Sequence, residues 1–226
     1  RMTESKTPRS GERPKIGNAQ TINMEDIELK TTLRIATLCA ALIMILLPAN
    51  LHAVELIVNG GFETGNLSGW TATNPAGWFE PWTVSGSGAG YVDSPVPVAT
   101  SVPVGTRNAW HSVTSSPAGS FLLVQTITIP AGNSVQFRWR HRYQMNHSTY
   151  CSSAATCGVA TFAVEILNTS NVLLETLYTI STPANTNTNT GWTLNNVNLS
   201  HRAGQTIRIR FRTNVTAAFS GPGRLE

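Results

Sequence analysis

From Phe121 onward the chain is divided into short runs in which apolar and polar residues alternate. Ser134–Tyr143 is the strictest of them. Val135, Phe137, Trp139, His141 and Tyr143 alternate with Gln136, Arg138, Arg140 and Arg142. Strand side chains point to opposite faces in turn, so this period of two predicts a strand with one buried face. Phe121–Ile129 is a similar run, ended by Pro130-Ala131-Gly132-Asn133. Thr161–Leu167 and Val172–Ile180 flank Asn168-Thr169-Ser170-Asn171, which reads as a hairpin turn. Pro183–Gly191 reads as a polar loop. Trp192–Leu199 and Thr206–Thr213 are two further strands, separated by Ser200–Gln205. Long amphipathic helical patterns are absent. Many short strands with frequent turns can bury their apolar faces only against one another, which predicts an all-β sandwich.

The stretch Val58-Asn59-Gly60-Gly61-Phe62-Glu63-Thr64-Gly65-Asn66-Leu67-Ser68-Gly69-Trp70 opens this part of the chain. Leu56 and Val58 alternate with polar neighbours as a half-buried strand does. The Gly60-Gly61 pair then permits positive φ and a close backbone approach. Between Trp70 and Trp110 the chain is loop-rich, with turn signals at 74–77 and 85–88. Pro95, Pro97 and Pro103 argue against a central strand over 93–105.

The 59–70 stretch fits N-G-x-F-E-x-G-x-x-x-x-W. It resembles the opening signature of jelly-roll β-sandwich domains in secreted bacterial proteins, such as carbohydrate-binding modules and galactose-binding-like (MAM-like) domains. Gly105–Trp110 looks like that family's next strand. Gly204-Gln205-Thr206-Ile207-Arg208-Ile209-Arg210-Phe211 resembles its penultimate one, G-Q-x-I-x-I-x-F. The resemblance implies a single jelly-roll sandwich over 54–226. It also implies an acid-rich last strand, but the sequence reaches Arg224-Leu225-Glu226 where that strand would begin. Either this is a piece of a longer chain or the sandwich has an exposed edge. In such relatives the early Glu and an Asp of the last strand share a structural calcium ion. Glu63 matches the early position. A hard cation needs several oxygens, and the other reading of Glu63 is a carboxylate that caps its turn by accepting backbone N–H groups.

The first 53 residues form a separate object. Residues 1–30 are polar and show no apolar period, and Met24 would give a leader of ordinary length if translation began there. Lys30 and Arg34 lie at the front of the nearly all-apolar run Leu33–Leu47, and small residues follow at Ala49 and Ala53. A basic front, an apolar centre and a small-residue exit predict a signal peptide over 31–53, cleaved before Val54. The alternative is an uncleaved anchor. After cleavage no membrane span is expected, and the protein would be secreted or held at the cell surface. From Val54 on there are nine arginines, no lysine and seven acids, a net charge of +2 against +4 for the whole chain. The basic balance therefore owes much to the leader and is not a nucleic-acid signal. Cys151 and Cys157 remain after cleavage, an even number in an oxidising compartment, and a disulfide between them is expected. His141 and His147 precede the cysteines and offer zinc as the alternative, although the spacing matches no standard zinc pattern.

No G-x-S-x-G, H-E-x-x-H or phosphate-binding loop is present. His111 and His201 stand isolated, and the scattered acids show no glycosidase setting. The predicted function is a non-catalytic extracellular carbohydrate-binding or adhesion-type module, with a polysaccharide or cell-surface glycan as partner. The alternatives are a structural surface domain and a glycan-active hydrolase or its accessory domain. Two ligand surfaces are candidates. Trp78 and Trp82 lie in a loop-rich region, where flat rings can stack on sugars or anchor the loop to the core. Arg138, Arg140 and Arg142 share one side of a strand, as do Arg208, Arg210 and Arg212. On the jelly-roll resemblance the two strands share a sheet as neighbours. Their six guanidinium groups then make either a solvated face or an anionic site for uronic acids or sulfated glycans.

Overall fold

A computed structural model describes residues 54–75, 79–86, 102–113, 118–150, 158–183, 186–216 and 223–226. The strands are β1 (Thr71–Thr73), β2 (Phe79–Gly86), β3 (Arg107–Val113), β4 (Gly119–Thr128), β5 (Gln136–His141) and β6 (Tyr143–Asn146). They continue with β7 (Ala160–Leu167), β8 (Leu173–Thr182), β9 (Asn187–Asn189), β10 (Thr193–Asn198), β11 (Thr206–Val215) and β12 (Gly223–Leu225). All recorded pairings are antiparallel. One sheet has the order β1-β4-β11-β7-β8. The other has the order β2-β3-β12-β6-β9, and a separate pair β10-β5 continues it, because β5 runs into β6 through Arg142 and β9 into β10 through residues 190–192. The result is a jelly-roll β-sandwich.

The alternating runs supply the core. Phe121, Leu123 and Ile127 of β4, Ile207 and Ile209 of β11, and Phe162, Val164 and Ile166 of β7 point inward. They belong to one cluster with Val113, Phe137, Trp139, Tyr143, Met145 and Leu225. Burying one such aliphatic or aromatic side chain contributes about 1.5–3 kcal/mol. Tyr143 brings a hydroxyl into this core, where it donates to the Ala160 carbonyl and accepts from Thr182 Oγ1.

Two histidines are part of the core. His111 stacks on Phe121 at 4.3 Å, meets Trp82 edge-on at 4.7 Å, and hydrogen-bonds Thr213 Oγ1 at 2.8 Å. His141 lies against Phe162 and Tyr178, and its Nδ1 accepts from the Asn195 side-chain amide at 3.1 Å. Burial depresses both. His111 falls to about 3, with the Arg224 charge adding to the effect, and His141 falls to about 4. Both rings are therefore neutral at pH 7 and serve as aromatic packing.

The structure departs from the sequence expectations in several places. Residues 54–58 form no strand. Val58 is 62% exposed, and its N–H and C=O are bonded to the side-chain amide of Gln125, at 2.7 and 2.9 Å, instead of to a neighbouring strand. In the turn that follows, positive φ falls on Asn59, Phe62, Gly65 and Gly69, not on the Gly60-Gly61 pair. Asn59 can take that conformation because its side chain bonds locally, donating to the Asn66 and Ser68 carbonyls and accepting from Thr64 N–H. This clasp seats Trp70 between Phe62 and Phe211, with ring centroids at 5.7 and 6.0 Å. The polar stretch 183–191 contains β9, which pairs with β6. The two arginine strands are not neighbours: β5 pairs with β10, whereas β11 lies between β4 and β7 in the opposite sheet. Alternation assigns a face to each side chain but does not say which sheet a strand joins. Trp78, Cys151, Cys157, the 1–30 extension and the 31–53 leader lie outside the described residues. Among those described, no helix is long and apolar enough to cross a membrane.

The neutral histidines set a pH dependence. The unfolded chain binds protons at about pH 6.5, and the folded chain does so only near 3 and 4 at these two sites. Stability must therefore be full above pH 6.5 and fall as pH drops toward 4. Urea denaturation at pH 7.5, 6 and 5 should show a declining midpoint; a flat profile over that range would contradict the neutral, buried assignment.

Candidate ligand-binding site

The structure separates the six arginines into two environments. On β11, Arg210 stands directly opposite Glu165 of β7. The Glu165 carboxylate accepts from Arg210 Nε at 2.7 Å and from Arg212 Nη2 and Nε at 2.7 and 3.1 Å. Its side chain is only 2% exposed. Burial pushes the Glu165 pKa upward, but the hydrogen bonds and charges of Arg212 and Arg210 outweigh that and hold it below the usual carboxylate range. Arg208 donates to the Asn171 side-chain carbonyl. One carboxylate thus holds two of the three arginines of this face in place, and Glu165 is a structural tie between β7 and β11.

The β5 arginines differ. Arg138 and Arg140 point outward, exposed, opposite Asn196 and Leu194 of β10. Among the described residues neither forms an ion pair. They line a cleft of about 500 Å³ together with Val102, Pro103, Val104, Trp192, Leu194 and Glu226. Arg142 is set apart. It donates to the Gln144 side chain at 3.3 Å, and its main chain pairs with Glu226. Beside it, Arg224 lies 4.2 Å over the Trp110 ring and forms an ion pair with Glu226.

Trp82 does not occupy a loop. It lies on β2, 6% exposed, in the core against His111. Trp192, which the sequence reading did not single out, is the half-buried aromatic at the cleft. Its position at the start of a strand gave no signal, because the cleft is formed by a loop some 90 residues earlier in the chain.

Glu63 binds the main chain of Thr106 and Arg107, outside its own turn. One oxygen accepts from the N–H groups of Thr106 at 2.8 Å and Arg107 at 3.2 Å, and the other accepts from Thr106 Oγ1 at 2.5 Å. The Thr106 hydroxyl is the main cause of its lowered pKa. The nearby Arg107 charge lowers it further. Among the described residues no three His, Cys, Asp or Glu side chains are grouped as metal ligands.

No family model and no curated protein matches this sequence. Solved structures do match. TmCBM61 in complex with β-1,4-galactotriose aligns at 16% identity and a TM-score of 0.42, over 76% of this chain and 94% of that one. The CBM22-2 xylan-binding domain from Paenibacillus barcinonensis Xyn10C aligns at 16% identity and 0.34, over 73% and 92%. A Stig cyclase, Fisc from Fischerella sp. TAU, aligns at 16% and 0.38, over 75% and 94%. The likeness extends to binding modules and an enzyme alike.

The Glu165 tie can be tested. Glu165→Gln leaves two guanidinium groups without their carboxylate and should cost roughly 2–3 kcal/mol at pH 7, below the full cost of breaking a buried pair because both arginines are partly exposed. A depressed carboxylate stabilises above its unfolded pKa and loses that contribution as pH falls through its folded one. The gap between wild type and variant should therefore be largest near neutral pH and close below about pH 4. Denaturation curves across that range measure it; a gap independent of pH would contradict the ion-pair account.

Proposed function

We propose that this chain is an exported, non-catalytic carbohydrate-binding domain whose ligand is an acidic glycan held over β5 and β10. The observation that carries this reading is the contrast between the arginine pairs. Arg210 and Arg212 share Glu165 as an ion-pair partner, whereas Arg138 and Arg140 stand exposed on the cleft without an ion-pair partner among the described residues. Alternate residues on one strand face lie about 7 Å apart. That spacing lets two guanidinium groups meet successive carboxylates or sulfates of an extended sugar chain by bidentate contacts. Trp192 and Leu194 beside them offer apolar surface to the C–H faces of the sugar rings.

The ionisable side chains support binding over catalysis. Glu63, Glu165, Glu175 and Glu226 are each engaged by donors or by arginines. His111 and His141 are neutral core residues, and His201 contacts Glu175. Export rests on the 31–53 leader. It would place Cys151 and Cys157 in an oxidising compartment, and the protein starting at Val54 should then show no free thiol in non-reducing denaturant. Two titratable thiols there would count against both the disulfide and the export reading.

A glycan array and titration calorimetry test the ligand. Binding should favour polyuronates and sulfated glycans over neutral glucans and weaken as salt rises. Each charge-assisted contact is worth about 1.5–3 kcal/mol, so Arg138→Ala with Arg140→Ala should weaken binding by at least about tenfold. Arg210→Ala should leave affinity unchanged while lowering stability. Unchanged affinity in the β5 double variant, or no glycan binding at all, would overturn the proposal.

A further inference from the structure

Between the two layers lies a cavity of about 270 Å³. Among the described residues, one wall is the inward side of β5, which carries Phe137, Trp139 and His141 at alternate positions. Trp82 of β2, Leu123 of β4 and Phe162 of β7 supply the others. Ring contacts fix these walls. Trp139 stacks on Phe137 at 5.0 Å, Trp82 meets His111 edge-on at 4.7 Å, and His141 packs on Phe162 at 4.9 Å. Protein interiors are close-packed, and voids much larger than a water molecule are few. A preformed space of this size, lined mainly by aromatic and aliphatic side chains, has the character of a small-molecule pocket.

The polar atoms of the lining are one-sided. Trp82 Nε1, Trp139 Nε1 and His141 Nε2 are buried and have no hydrogen-bond partner. An indole N–H can only donate. The His141 ring is neutral at pH 7 and its Nδ1 already accepts from Asn195, so its proton sits on Nε2. All three groups are therefore donors. The carboxylates on the same lining are engaged: Glu55 accepts from the Ile57 N–H, and Glu226 forms an ion pair with Arg224. Buried donors are normally satisfied, and each one that is not calls for an acceptor. Water answers this poorly, because it must donate as well as accept, and here it would meet donors and apolar walls. The space also has a route to solvent. Gly60, Gly61, Phe62, Ala109 and Trp139 border both the cavity and the arginine cleft, which places its mouth at the cleft.

We infer that the cavity is a binding site for a compact, uncharged ring compound with a carbonyl oxygen, whose oxygen accepts from the buried N–H groups of Trp139 and His141 while its rings pack against Trp82, Phe137 and Phe162. An apolar cavity of about 150 Å³ holds one benzene ring, so this one has room for two fused rings. A carbonyl is favoured over a carboxylate because the walls hold no cation, and burying an unpaired charge there is costly. A carbonyl is favoured over a hydroxyl because the walls supply donors and the acceptors are taken. The site differs from the glycan surface in chemistry, and the inference does not depend on the glycan reading.

The probes are 1-indanone, a two-ring ketone, and indane, the same skeleton without the oxygen. Both are titrated into the full chain by calorimetry and by the indole N–H resonances in NMR. 1-Indanone should bind and move the Trp139 indole N–H resonance. Indane should bind about tenfold more weakly, the difference one neutral hydrogen bond makes. Trp139→Phe keeps an aromatic ring and removes the donor; it should bring the affinity for the ketone down toward that for indane and leave that for indane unchanged. Ala109→Leu fills part of the space and should weaken both probes. Absence of binding at millimolar ketone would overturn the inference, as would equal affinity of the two probes for the unaltered chain. Ketone binding that Trp139→Phe and Ala109→Leu both leave intact would also overturn it, because the ketone would then lie elsewhere. The comparison of the two probes needs no variant, so the test holds even where a substitution prevents folding. Ketone binding should be indifferent to salt and to Arg138→Ala with Arg140→Ala, whereas glycan binding should not, so the two proposals fail independently.

Discussion

The sandwich depends on the burial of the inner faces of β4, β11 and β7 against the second layer. These three strands occupy the middle of their sheet, and Phe121, Ile207, Ile209, Phe162, Val164 and Ile166 are all essentially inaccessible to water. A buried backbone must pair its N–H and C=O groups, so apolar side chains that drive the strands inward also enforce the hydrogen-bonded ladder. The rest of the structure is built on this layer. The 59–70 clasp sits on it through Trp70 and Phe211, and Val58 is tied to it through Gln125.

Charge is handled locally. A carboxylate as buried as Glu165 persists because two arginines on the adjacent strand surround it, and the arginines are in turn fixed by it. Their side chains hold together the outer face of β7 and β11, where alternation alone would leave a row of like charges. The histidines follow the opposite course. His111 and His141 have no carboxylate beside them in the core, so burial keeps them uncharged, and they pack as aromatic rings. Among the described residues Arg138 and Arg140 have no ion-pair partner, and they stand exposed at the cleft. The difference between the two arginine groups is thus a difference between their cross-strand neighbours: Glu165 beside β11, but Leu194 and Asn196 beside β5.

The second layer is less complete than the first, and its irregularity bears on function. Where β12 is present, β3 and β6 are joined, and Arg224 covers Trp110. Among the described residues a cavity lined by Trp82, Phe137 and Trp139 also borders Arg138 and Arg140. Gly223 marks how close the packing is where the strand does lie, since a Cβ there would overlap the Met145 sulfur.

The sequence alone determined the class of fold and the inward face of most strands, because a period of two is a local property of a pleated chain. It marked the 168–171 turn, whose Asn168 side chain accepts from Ser170 and Val172 N–H groups as a turn residue should. It did not show that the Glu63 carboxylate reaches the main chain of Thr106 and Arg107, more than 40 residues away. Beyond the β7–β8 hairpin, only the tertiary structure decided which strands are neighbours. Arg140 and Arg210 have the same local signature, yet one faces a cleft and the other a buried carboxylate. That outcome depends on a partner strand far away in the chain, and no local pattern carries it. For the same reason Trp82 was read as a loop aromatic and proved to be core, while Trp192 went unnoticed. A side chain's exposure is set by what folds over it, and that is a property of the assembled layers rather than of the residue's own neighbours in sequence.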